Sequence, residues 1–128
     1  GGPFKVPAGK KVGIRITNKG AVEHEIMFGR DVKFEEKEVA GKKVSVPHGY
    51  MVSLFEDVDA DIFVYPGGKK IEIETEGKFA EIEMEAGADV WVRTKFPAGV
   101  KGEWEIGCFV PGHYEAGMKA KFLIEEAR

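Results

Sequence analysis

Glu103-Trp104-Glu105-Ile106-Gly107-Cys108-Phe109-Val110-Pro111-Gly112-His113-Tyr114-Glu115-Ala116-Gly117-Met118-Lys119-Ala120-Lys121-Phe122-Leu123-Ile124 reads as a strand, a tight loop and a second strand. Trp104, Ile106 and Cys108 fall on one face and Glu103, Glu105 and Gly107 on the other. That period of two marks a half-buried strand. Pro111-Gly112 turns the chain, and Ala120, Phe122 and Ile124 resume an inward face against Lys119, Lys121 and Leu123. Met118 is in phase with that inward face.

The same alternation recurs upstream. Val12, Ile14 and Ile16 alternate with Gly13, Arg15 and Thr17, Ile71 and Ile73 with glutamates, and Ala80, Ile82 and Met84 with Glu81, Glu83 and Glu85. Turn chemistry separates the runs at Pro7-Ala8-Gly9, Asn18-Lys19-Gly20, Pro66-Gly67-Gly68, Glu76-Gly77 and Pro97-Ala98-Gly99. Short alternating strands with regular Gly/Pro turns and little helix predict an all-β fold, an antiparallel β-sandwich of Greek-key type. Residues 29–66 carry no such clear period. Asp31 to Glu38 fits a helical turn or an exposed strand, Ser53 to Asp61 either one, and the region reads as a long excursion between strands. Ala-Gly-Lys-Lys-Val occurs at 8–12 and again at 40–44, each time as a turn feeding a strand.

Bulk properties narrow the function. The 128 residues predict a single domain, 1–128, able to bury a core without disulfides. One cysteine excludes a disulfide framework, Cys-rich zinc modules and dithiol redox motifs. A net charge of -3, with basic residues spread along the chain, gives no nucleic-acid stripe. No apolar run reaches membrane-spanning length. The start Gly1-Gly2-Pro3-Phe4 reads as processed or engineered, so a leader or anchor is expected to have been removed. The chain has no glutamine, one asparagine and 32% charged residues, a pattern expected of a protein working at high temperature.

The loop carries the chemistry. A histidine stands five residues after the only cysteine and a methionine five residues after that. Thiolate, imidazole and thioether make three of the four ligands of a mononuclear copper site, and a His₂Cys plane with a weak axial Met serves both Cu(I) and Cu(II). The second imidazole must come from elsewhere. His24, on a strand with Val22, Ile26 and Phe28 on its side, is the best candidate. His48, beside Pro47 and Gly49, with Met51 nearby, reads as an exposed loop residue before an accessory copper site. Met27, Met84, Trp91 and Trp104 read as packing residues. The glutamates of 72–85 read as an outward strand face, and Pro66-Gly67-Gly68-Lys69-Lys70 lacks the spacing of a phosphate loop.

Cys108-x₄-His113-x₄-Met118 after such a strand, with Val22-Glu23-His24-Glu25-Ile26 upstream, resembles the cupredoxins, or blue (type 1) copper proteins. The wording around Gly107-Cys108 and Gly112-His113-Tyr114 is similar to small bacterial and archaeal periplasmic members, with a spacing like that of rusticyanins. The resemblance covers residues 6–28 and 100–126. It implies an eight-stranded Greek-key barrel or sandwich with an insertion between His24 and Cys108. It also implies one type 1 copper ion on His24, Cys108, His113 and Met118, with no catalytic residues. The implied role is transfer of single electrons outside the cytoplasm, in the periplasm or on the outer face of the cell membrane. Redox protein partners would touch a monomer briefly at an apolar ring around His113, formed by Phe109, Val110, Pro111, Tyr114 and Ala116. Plastocyanins and azurins follow the first histidine with Asn and the cysteine with Ser or Thr, tying the two ligand strands together; here Glu25 and Phe109 stand there, so that tie must be absent or replaced. The alternative reading is a copper-binding module for delivery or storage.

Overall fold

The alternation in the sequence becomes two facing sheets. The computed structural model of the chain describes residues 4–64, 71–74 and 81–126. Ten strands lie among them: β1 (Phe4–Pro7), β2 (Lys11–Thr17), β3 (His24–Val39), β4 (Lys42–Ser53), β5 (Ala60–Val64), β6 (Ile71–Glu74), β7 (Glu81–Met84), β8 (Asp89–Lys95), β9 (Gly102–Cys108) and β10 (Lys119–Glu125). The one helical segment among the described residues is a 3-10 turn at Ala98–Val100. The larger sheet runs β1-β10-β9-β3-β7-β6, with β4 also paired to β3, and the smaller runs β2-β8-β5. The fold is an all-β sandwich, as the periodicity indicates, with more strands than the eight of the resemblance. The turns expected at Pro66-Gly67-Gly68 and Glu76-Gly77, the phosphate-loop look-alike and Gly1–Pro3 lie outside the described residues.

One pairing departs from the antiparallel expectation. β1 runs parallel to β10, from Phe4 opposite Phe122 to Pro7 opposite Glu125. β1 is an edge strand, where the missing N–H of Pro7 costs no ladder bond in the sheet interior.

The core forms where the inward faces meet. Val12, Ile14 and Ile16 of β2 pack with Val90 and Val92 of β8 against Phe28, Ile82, Met84, Trp104, Phe122 and Ile124 of the larger sheet. Phe28 meets Phe55 and Phe122 edge to face, at 5.4 and 5.6 Å between ring centres. Such pairs add about 0.5–1.5 kcal/mol each beyond the area they bury. Trp104 closes the end of the core remote from Cys108. Its indole N–H donates to the Val100 carbonyl at 2.8 Å, and the Arg30 guanidinium lies 3.6 Å from its ring centre.

The excursion at 29–66 is mostly a long hairpin. β3 and β4 pair from Gly29 opposite Ser53 to Val39 opposite Lys42, with a register shift between Val32 and Phe34. Ala40 and Gly41 take φ of 52° and 78°, the left-handed pair of a tight hairpin turn. Past the bulge the ribbon leaves the sandwich, and residues 33–45 are exposed. The segment 31–38 is therefore strand and not helix. The residues after β4 turn back inward, and Leu54, Phe55 and Val58 plug the core.

Candidate metal centre

The site lies where β3 begins and β9 ends. His24 opens β3, opposite Met84 of β7, and the next inward residue of β3, Ile26, stands opposite Cys108. His24 and Cys108 are therefore neighbours on the inward face, as strand phase indicates. Val22 is 55% exposed and lies ahead of the strand, so it does not share that inward face.

The loop 109–118 is held by its own backbone. The His113 N–H donates to the Val110 carbonyl at 2.9 Å, and the His113 carbonyl accepts from Ala116 and from Met118, each at 3.1 Å. Gly112 and Gly117 have φ of 88° and 97°, a region where a side chain would strain the turn. The Cys108 N–H donates to the Met118 carbonyl at 3.0 Å.

Three candidate ligands converge. The His24 Nδ1 is 3.4 Å and the His113 Nδ1 3.3 Å from the Cys108 Sγ. The ligand atoms of the three residues all lie within 4.8 Å of one another. The sulfur is buried, with Cys108 2% exposed, and the imidazoles are half-buried, with ring centres 5.0 Å apart. Burial, helped by the neighbouring His113, holds the His24 imidazole below the ordinary histidine value. The neutral, ligand-competent form is favoured. Nitrogen–sulfur separations of this size suit donors sharing one ion with arms of ~2.0 Å to nitrogen and ~2.3 Å to sulfur. The donor set thus fits a soft or borderline ion such as copper.

Met118 sits differently from expectation. Its backbone is bonded to both Cys108 and His113, which places its Cα beside the cluster, but the residue is 39% exposed. It precedes β10 and stands at the rim, so the inward phase starts only with Ala120. The ring around His113 is also smaller than expected. Phe109 and Tyr114 are buried at 6% and 9% and turn to the outer face, leaving Val110, Pro111 and Ala116.

The tie between the ligand strands is present in another form. The Phe109 N–H donates to the Glu25 carbonyl at 3.1 Å. A backbone bond needs no particular side chain, which accounts for Glu25 and Phe109 at these positions. A second support is the only asparagine in the chain. Asn18 is buried, its amide donates to the Val22 and Met84 carbonyls at 2.9 and 3.0 Å, and its carbonyl oxygen accepts the Gly20 N–H at 3.0 Å. These bonds close the loop leading into His24. A side chain at Gly20 would stand 3.2 Å from the His24 Nε2. A lone buried asparagine in an amide-poor chain was the one available signal of this role.

The outer face behind Cys108 carries a feature the alternation hides. Glu105, read as outward, is half-covered, and its Oε1 accepts the Tyr50 hydroxyl at 3.0 Å and the Tyr114 hydroxyl at 2.5 Å. Burial first, and then Glu105 (through its charge at Tyr50 and its hydrogen bond at Tyr114), push both phenols above the ordinary tyrosine value, so they remain donors. Tyr114 stacks on Phe109 at 5.0 Å and 12°, and Tyr50 meets Phe109 edge to face at 5.0 Å. Met27 packs on this cluster, and Met84 is fully buried in the core.

Other groups stand apart. His48 faces Glu35 at 3.4 Å on the exposed ribbon, and Met51 is 72% exposed. Carboxylates of Glu23, Glu25 and Glu83 also converge within 4.8 Å, on hard oxygen donors only. A cleft of about 1120 Å³ lies on the smaller sheet over Trp91 and Phe63, with cationic and acidic side chains on its walls. No described helix is long and apolar enough to cross a membrane.

No protein-family model matches the chain, and no curated protein matches it. Among solved structures it is similar to an ASH/PapD-like domain of human CEP192, PapD-like domain 7, at 11% identity and a TM-score of 0.32. That alignment covers 98% of this chain and 84% of the other. A likeness of this size carries no argument about function.

Proposed function

We propose that this chain is a type 1 copper protein of the cupredoxin kind that carries single electrons. The observation that carries the reading is the convergence of two imidazole Nδ1 atoms on one buried cysteine sulfur. His24, Cys108 and His113 would hold the ion, with Met118 as a weak fourth ligand from the rim. Bound copper would supply a Cu(I)/Cu(II) couple, and mixed soft and borderline donors suit both states. The chain's part is to hold these donors on a paired framework. β3 and β9 are laddered together, and the Phe109–Glu25 bond fixes their ends. A framework that moves little between states leaves little rearrangement to accompany electron transfer. The half-buried His113, with Val110 and Pro111 beside it, is the natural point of contact for a redox protein meeting the chain through a small interface. Operation outside the cytoplasm belongs to the same proposal, as does the absence of an enzymatic role.

The test is a Cu(II) titration of the apoprotein with visible and EPR spectra. An intense thiolate-to-copper band with narrowed copper hyperfine splitting is expected. A pale product of ordinary tetragonal type would end the proposal. The 39% exposure of Met118 is the one observation favouring copper delivery. Rapid loss of Cu(I) to a competing chelator would support delivery, and slow loss would support the electron carrier.

A further inference from the structure

The outer cluster behind Cys108 is built with more care than a solvent face requires. Tyr50 belongs to β4, on the side of β3 away from β9, yet its hydroxyl reaches Glu105 of β9. It gets there by lying across two glycines. A methyl at Gly29 would run into the Val52 carbonyl and stand 2.6 Å from the Tyr50 Cβ, and one at Gly107 would stand 2.5 Å from the Tyr50 hydroxyl oxygen. Gly29 and Gly107 stand opposite Ser53 and Met27 in their ladders, so the trough crosses the sheet from β4 to β9. From the other side comes Tyr114, the residue after His113. It stacks on Phe109, the residue after Cys108, and donates to the same Glu105 oxygen. Lys119 lies over its ring at 4.4 Å.

We propose that Tyr50 and Tyr114, acting through Glu105, are positioning residues for the metal centre, an outer clamp that sets the Cys108-to-His113 separation. The stacked pair Phe109–Tyr114 joins the neighbours of both ligands, and Glu105 anchors the pair to β9 three residues before the cysteine. Tyr50 ties the same carboxylate to the long hairpin. Without the clamp the loop keeps its backbone turns but loses its fixed height above the sheet. The consequence for copper rests on the function proposed above, whereas the clamp itself is a property of the apoprotein.

The test uses the single cysteine as its reporter. Cys108 in the apoprotein is titrated with a thiol-specific disulfide reagent, and each variant's global stability is measured in parallel by denaturant. Tyr50→Phe and Tyr114→Phe are each expected to speed the thiol reaction on the order of tenfold or more, the change in local opening expected when a bond to a charged acceptor is lost. Ile16→Val, remote from the clamp and mildly destabilising, sets the rate that a general loss of stability produces. Acceleration in the tyrosine variants no greater than that control, at matched stability, overturns the proposal. If Tyr50→Phe fails to fold, Tyr114→Phe alone decides by the same comparison. On copper-loaded protein the tyrosine variants are expected to shift the thiolate band and the reduction potential. If wild-type protein gives no such band, the copper reading fails, while the thiol rates still decide the clamp.

Discussion

The amide of Phe109 donates to the carbonyl of Glu25 at 3.1 Å, so the residue after Cys108 is bonded to the residue after His24. Two candidate ligands far apart in sequence are thereby held by main-chain atoms. Substitution of either side chain leaves the bond in place, whereas the ligands have no such freedom. Cys108→Ser is expected to abolish the intense visible band on copper addition. Met118→Gln should keep the colour and lower the reduction potential, since Met118 approaches from the rim. A blue Cys108→Ser protein would show the ligand assignment to be wrong.

Acid should weaken the apoprotein through His24. Its folded value lies below the ordinary 6.5, from burial first and His113 second. The unfolded chain then binds the proton before the folded chain does. Stability is present above the unfolded value and is lost as pH falls from there through the folded value. Denaturant midpoints measured between about pH 7.5 and about pH 5 should fall more steeply for wild type than for His24→Ala. Parallel curves would remove His24 from this role.

Base should act on the opposite face. The Tyr50 and Tyr114 phenols are raised above 10.0 by burial and by Glu105. Their contribution is complete below the unfolded value and is lost as pH rises beyond it. In an alkaline titration followed by phenolate absorbance, two of the three tyrosines should ionise only together with the loss of β-sheet signal. Smooth ionisation of all three in folded protein would contradict the buried hydrogen bonds.

Asn18→Ala should cost roughly 1–3 kcal/mol, because it removes the buried amide's bonds to the Val22 and Met84 carbonyls and frees the loop under His24. Metal affinity should drop with it. Thermal unfolding with and without metal separates the two effects, and a variant as stable as wild type would refute the support role.

The glycines divide cleanly. Gly29→Ala meets backbone as well as Tyr50 and should cost about 1–3 kcal/mol or more by overpacking. Gly99→Ala meets open space at an ordinary φ and should be neutral or slightly stabilising. Denaturant unfolding of the pair is sufficient, and equal costs would contradict the trough.

Much of this was legible in the sequence because strand phase is a local property. Trp104, Ile106 and Cys108 share a face on β9, and His24 shares one with Ile26 and Phe28 on β3, so alternation alone brings sulfur and imidazole together. Met118 read as inward because it keeps the phase of Phe122, yet it belongs to the loop, where phase has no meaning. Glu105 read as a solvent carboxylate because nothing near it in sequence announces Tyr50. That contact depends on two glycines that bare the sheet surface, and a missing side chain carries no period. The parallel pairing of β1 with β10 left no local trace either. The turn at Ala40-Gly41, by contrast, was legible, since the second Ala-Gly-Lys-Lys-Val reads as a turn feeding a strand and β4 begins at Lys42.

The pairing of β10 with β9 on one side and β1 on the other sets an order of assembly. His24 leaves the ribosome 84 residues ahead of Cys108, roughly 4–17 s earlier at ordinary synthesis rates. Until β10 docks, the cysteine amide has no Met118 carbonyl to bond and the thiol stands open. On the function proposed above, metal capture would follow the docking of β10 on β9, and whatever machinery supplies the ion would meet that pair already closed.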